Sequence, residues 1–205
     1  DLYKFKRFKT VAIIGMGGSV LGTEAIYSFL EKKIKKRFLF FDNIDENKIK
    51  KLIKKEKLNN ILFILISKSG STIETLSNVL ALKILNRNNR NIIIISEKNN
   101  NPLYLLSQKM KIFHIEHRNY ISGRYSVLTE VGMVPAYLMG INISKIRKNL
   151  LNHLNNRNKK FLRNSSTNLA NILKNKKFKN LIFFNYIPQL DKFLFWCQQL
   201  IGESL

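Results

Sequence analysis

Five short runs of branched aliphatic and aromatic residues, each followed by a stretch with helical spacing, constrain this chain more than any other feature. The runs occupy residues 10–14, 37–41, 60–66, 91–95 and 111–115. Each has the length and residue type of a buried strand. Helical patterns separate them at residues 20–30 and 46–57, and then at Leu76, Val79, Leu80, Leu82, Ile84 and Leu85. A short helix opens at Asn101-Pro102, since proline suits a first helical position. Strands alternating with helices at this interval predict an α/β fold, a doubly wound parallel sheet flanked by helices. Sites in such sheets lie at the carboxyl ends of the strands. Here three polar turns, 15–19, 42–45 and 67–72, would share that rim.

The third of these turns carries the most chemistry. Ser67-Lys68-Ser69-Gly70-Ser71-Thr72 sits where a strand ends and a helix begins. The first backbone N–H groups of a helix lack internal partners, and the helix dipole favours an anion there. Hydroxyls, one ammonium and a glycine that allows close backbone approach suit this turn to a phosphate. An ordinary helix cap explains it too, with Ser71 or Thr72 capping and Glu74 closing a box from Ser71. Both can hold at once.

The formal net charge of +23 raises nucleic acid or an acidic membrane as partners. The cations are spread along predicted helix faces among many Asn and Ile residues, and no recognition motif accompanies them. We therefore read them as solvated surface rather than a nucleic-acid face. Cys197 is the only cysteine, so the chain can form neither an internal disulfide nor a thiolate metal cluster, which fits a reducing compartment. No apolar run is long enough to span a bilayer, and no signal peptide is evident. The chain opens on Asp1 and stops just after an apolar helical pattern, so it reads as an internal piece of something longer.

A change of pattern near residues 140–144 marks a domain boundary. Residues 1–142 would form the first α/β domain, carrying the hydroxyl-rich loop. Residues 143–205 would supply linking helices (143–155 and 158–174), a strand at 180–186 and a helix at 188–201. They read as the start of a second, incomplete α/β domain.

Other motifs are weaker. Gly15-Met16-Gly17-Gly18-Ser19 with Asp42 invites a dinucleotide reading, but the fingerprint requires a third glycine where Val20 stands. An isolated arginine such as Arg124 is usually solvated, and an acid just past an amphipathic helix, such as Glu203, is usually surface. His114, His117 and His153 show no metal spacing. The residues alone define a phosphate-friendly α/β domain and no reaction.

Five stretches, in order, resemble the phosphoglucose isomerase family, whose members are built from paired sugar-isomerase domains. They are Gly15-Met16-Gly17-Gly18-Ser19-Val20-Leu21-Gly22, Asn43-Ile44-Asp45, Ser67 through Thr75, Ser122-Gly123-Arg124-Tyr125-Ser126-Val127, and Trp196-Cys197-Gln198-Gln199-Leu200-Ile201-Gly202-Glu203-Ser204-Leu205. The resemblance implies a glycolytic and gluconeogenic enzyme that interconverts glucose 6-phosphate and fructose 6-phosphate. It implies a sugar-phosphate site at Gly18, Ser19, Ser67, Lys68, Ser69 and Thr72. Glu203 would be the base moving a proton between C2 and C1, and Arg124 would stabilise the enediolate. The resemblance further implies no metal or other cofactor, a homodimer and a cytoplasmic location. Ser122 departs from the family's first glycine in this motif. The family's ring-opening His and a late Lys follow the Glu, beyond Leu205, and the His comes from the neighbouring subunit. The chain alone is therefore expected to have little activity. A non-catalytic phosphosugar-binding regulator on the same domain would use the hydroxyl loop without needing Arg124 or Glu203.

Overall fold

The computed structural model describes residues 1–85, 89–153, 155–174 and 180–204. Five strands, β1 (Thr10–Gly15), β2 (Arg37–Phe41), β3 (Ile61–Ile66), β4 (Ile92–Ser96) and β5 (Phe113–Glu116), form one sheet in the order β2-β1-β3-β4-β5. Every pairing is parallel. Helices α1 (Leu21–Leu30), α2 (Glu46–Lys55), α3 (Ile73–Ala81), α4 (Pro102–Lys109) and α5 (Glu130–Leu138) complete the doubly wound arrangement.

Alternation along the central strands explains the layers. Val11 and Ile13 of β1, with Leu62, Ile64 and Ile66 of β3, pack with Val131, Val134 and Leu138 of α5. Ala12 and Ile14, with Ile61, Phe63 and Leu65, point the other way, toward Ile49 and Leu52 of α2, Val79 of α3 and Leu103 of α4. All six residues of β3 are buried, as a strand covered on both faces requires. Burying each such side chain contributes about 1.5–3 kcal/mol.

The topology sets the site. From β1 the chain crosses to β2 on one side, then returns to β3 on the other. The loops leaving β1 and β3 therefore diverge and open a crevice at the strand ends. Helix α3 stops at Ala81, earlier than the periodicity predicts. Lys83 takes a positive φ of 51°, and Leu82 and Ile84 stay buried in a non-helical turn.

The chain divides into two compact units, Asp1–Ile141 with Ile187–Leu205, and Asn142–Tyr186. The second unit holds α6 (Ile143–Arg147), α7 (Leu150–His153) and α8 (Asn156–Lys174), none with a buried residue. The helix predicted over 143–155 is therefore two shorter helices, and Leu154 lies outside the described residues. The strand predicted at 180–186 is corrected: the segment pairs with no strand among the described residues, and its apolar side chains Leu181, Ile182, Phe183 and Phe184 are exposed. A run with strand character forms no ladder without a neighbouring edge. Helix α9 (Asp191–Gly202) belongs to the first unit and packs along α1. No described helix is long and apolar enough to cross a membrane.

Candidate active site

The hydroxyl-rich turn is organised by its own side chains. Ser67, buried at the end of β3, has its Oγ 2.7 Å from Thr72 Oγ1 and accepts a hydrogen bond from the Gly70 amide at 3.1 Å. Ser69 Oγ accepts from the Ser71 amide at 3.3 Å and from the Ser71 hydroxyl at 3.1 Å. Gly70 has φ +65°, and a Cβ there would overlap the Asn101 side chain. Asn101 cannot yield freely, because its Oδ1 caps α4 by accepting from the Tyr104 amide at 2.9 Å.

This local order overturns the cap predicted from the sequence. Thr72 occupies the cap position of α3 but makes no side-chain capping bond, since its hydroxyl is turned to Ser67. The helix start is thus left without a protein acceptor from its cap residue, which favours an anion there. Lys68 projects from the same turn. Its Nζ donates to the Asn119 carbonyl at 2.7 Å and lies 3.7 Å from Glu97 Oε1.

The glycine turn after β1 connects this loop to the rest of the site. Gly15 pairs with Ile66, and a Cβ on it would lie 2.7 Å from the Ile66 carbonyl. Gly17–Ser19 forms a 3-10 turn in which Gly17 has φ +50°. A Cβ on Gly18 would collide with the backbone of Gly123 and Arg124, so only glycine lets the two segments touch. Ser126 adds to this junction, with its hydroxyl donating to the Gly123 carbonyl at 2.6 Å. Ser19 is buried behind the turn.

Arg124 is held by neighbours from distant parts of the chain. Its Nε donates to Ser204 Oγ at 3.1 Å and its Nη1 to Ser122 Oγ at 3.3 Å, while Nη1 stands 3.5 Å from Glu203 Oε2. Trp196 Nε1 donates to the Arg124 carbonyl at 3.1 Å. Ser122, which replaces the glycine of the resembling motif, thus gains a contact with Arg124. The Arg124–Glu203 pair is partly exposed, so it adds at most about 1 kcal/mol of stability and acts mainly to orient the two groups. Tyr125 stands beside it, its hydroxyl 2.8 Å from Ser204 Oγ. The hydrogen bond to Ser204, then that to Arg124 and the Arg124 charge, hold its phenol below the usual range.

Sequence reasoning missed Gln199. Its Nε2 donates to Glu203 Oε1 at 2.9 Å, and its amide lies where a Cβ on Gly17 would be, 2.6 Å from Nε2. The four-residue spacing from Glu203 places both on one helix face, a signal the sequence does contain. With Gln199 on one oxygen and Arg124 near the other, the Glu203 carboxylate is fixed at both ends. A hollow of about 520 Å³ is lined by Gln199 itself, with Leu21, Asp42, Lys192, Phe195, Gln198 and Gly202. A larger one of about 1340 Å³ runs along the open edge of β5 and touches none of these groups. Among the described residues, no group of three His, Cys, Asp or Glu side chains could hold a metal ion.

The site therefore joins a hydroxyl-rich anion cradle to a guanidinium and a carboxylate through a glycine turn. A sequence model of the family described as Phosphoglucose isomerase matches residues 2–204. The glucose-6-phosphate isomerase of Methanocaldococcus jannaschii is 34% identical over all of this chain and 53% of its own length. That of Carboxydothermus hydrogenoformans is 28% identical over 98% of this chain and 47% of its own. Among solved structures, a glucose-6-phosphate isomerase from Chlamydia trachomatis superposes with a TM-score of 0.58 at 26% identity, covering 67% of this chain and 28% of that one. The chain spans about half the length of the curated relatives it matches.

Proposed function

The chain belongs to the phosphoglucose isomerase family, and from that premise we propose that the whole protein interconverts glucose 6-phosphate and fructose 6-phosphate. The observation that carries this reading is the carboxylate of Glu203 3.5 Å from Arg124, whose backbone packs on Gly18 of the turn leaving β1, the strand that pairs with β3 and so sits beside the uncapped hydroxyl loop.

In this mechanism the sugar's phosphate rests on Gly18, Ser19, Ser67, Ser69 and Thr72, with Lys68 supplying positive charge beside the loop. Glu203 removes the C2 proton of the open-chain aldose, and the electron pair forms the C1–C2 double bond of an enediolate. Arg124 stabilises the negative charge that develops on its oxygens, as a fixed guanidinium does well. The proton of the C2 hydroxyl passes to O1, leaving a carbonyl at C2, as Glu203 returns its own proton to C1 to give the ketose. One carboxylate can serve both steps because it accepts and donates on the same face. Gln199 keeps that carboxylate aimed.

The division into sugar-isomerase domains is part of this proposal. Residues 1–142 would be the first, and 143–205 the linking helices and start of the second. Helix α9 would then be how the second domain delivers Glu203 to the first domain's site. A homodimer, a cytoplasmic location and a surface role for the excess positive charge complete the reading.

The test is a coupled assay of hexose 6-phosphate interconversion by the full-length protein, wild type and Glu203→Gln. Turnover in the wild type and a loss of about 10²–10⁴ in kcat in the variant are expected, with KM little changed. A full-length protein that interconverts nothing sinks the enzyme reading. Normal turnover by Glu203→Gln sinks the base assignment.

A further inference from the structure

On α1, Glu24 and Ser28 stand four residues apart and so share one helix face. Both reach toward the segment that carries Glu203. Ser28 Oγ donates to the Gln189 carbonyl at 3.2 Å, just before α9. Glu24 is only 9% exposed, and its Oε1 lies 2.9 Å from Lys192 Nζ in the first turn of α9. The other oxygen, Oε2, is buried with no hydrogen-bond partner among the described residues. A carboxylate taken this far from water on a single cation makes that cation hard to replace. Meanwhile α9 has no fully buried residue of its own, and its apolar residues Leu194, Trp196, Cys197 and Leu200 are only half-buried. Its far end is attached through Trp196, Glu203 and Ser204 to the Arg124 segment.

We propose that the Glu24–Lys192 pair is a latch that fixes α9 along α1 and thereby positions Glu203 for proton transfer. Lys192 and Glu203 are about 16 Å apart along the helix at 1.5 Å per residue. Because an α-helix transmits an axial shift rigidly, a slip at the latch becomes a displacement of the carboxylate. Glu24 and Lys192 are positioning residues and touch no substrate. The kinetic part of this proposal rests on the isomerase reading above.

The experiment uses the full-length protein with Lys192→Met, Glu24→Gln and the double variant. Trp196 sits on α9 two turns short of Glu203, and subtracting the emission of the matching Trp196→Phe protein isolates its signal. Lys192→Met strands the Glu24 charge, so acrylamide quenching of Trp196 should rise about twofold and kcat fall roughly 10- to 100-fold with KM held within about threefold. Glu24→Gln should be milder, since Lys192 can turn to water. Adding it to Lys192→Met should bring both readouts back only as far as Glu24→Gln alone, because the stranded charge is gone but the latch is still absent, and full return to wild type would overturn the latch. Trp196 quenching that is equal in all four proteins overturns the latch. A loosened Trp196 with unchanged kcat overturns its role in positioning Glu203. A wild-type protein that interconverts nothing is the separate failure of the isomerase reading, and the quenching comparison then decides the latch alone.

Discussion

Ser67 and Thr72 stand five positions apart and their hydroxyls meet at 2.7 Å, whereas Arg124 reaches a Ser204 hydroxyl 80 positions away at 3.1 Å. The first contact belongs to a turn that the sheet fixes as soon as β3 forms. Ser67 is fully buried and Gly70 is pinned by Asn101, so the cradle is set by local sequence and one strand end. The second depends on α9 returning to the sheet unit, with both side chains of the Arg124–Glu203 pair partly open to solvent. The anion cradle is thus preorganised by burial, and the reacting end by a long-range docking event. Binding should tolerate disturbance of α9 better than turnover does.

Arg124→Lys should strike the reacting end hardest after loss of Glu203 itself. The guanidinium meets Ser204, Ser122 and Glu203 in three directions from one rigid plane, and a single ammonium cannot. A kcat loss of about 10²–10³ with KM within a few-fold is expected in steady-state kinetics of the full-length protein. A variant that instead raises KM and keeps kcat would place Arg124 on the binding side and erase the contrast.

Gly70→Ala should strike the cradle. The positive φ costs an L-residue about 1–2 kcal/mol. The new methyl also displaces Asn101, whose cap on α4 contributes another 0.5–2 kcal/mol or so. A fall of roughly 3 kcal/mol in urea-derived stability, with a raised KM, is the expected outcome. A silent substitution would mean the loop is not built as tightly as its hydrogen bonds indicate.

The same contrast explains what the sequence disclosed. β1 to β5 were legible because each is a compact apolar run, and the cradle because its hydroxyls are adjacent in the chain. Arg124 and Glu203 read as ordinary surface residues until the resemblance tied them to motifs, since nothing near either one demands the other. Nothing in the sequence singles out Glu24, which α1 buries against Lys192 of α9. The cap predicted for α3 failed because residue preference does not reveal that Ser67 competes for the Thr72 hydroxyl. The run at 180–186 has strand composition, but pairing is a property of a neighbour and not of the run.

The smallest expected effect is a pH dependence on the cradle's side of the molecule. His117 lies buried just past β5, its Nδ1 3.1 Å from the Arg118 carbonyl and its Nε2 without a partner among the described residues. Burial, the largest influence, pushes its imidazole below the ordinary 6.5, and Lys68 acts in the same direction; the Arg118 carbonyl, Glu97 and Glu130 oppose them. With the lower pKa in the folded state, the unfolded chain takes up the proton first as pH falls. The stability is therefore complete above about pH 6.5 and drains away as pH drops through the folded value. His114 is lowered too, chiefly by burial, and contributes in the same window. His117→Asn should flatten the decline of urea midpoints between about pH 7 and 5 without abolishing it, because His114 remains. The same slope in variant and wild type would show that His117 is not charged on unfolding in this range.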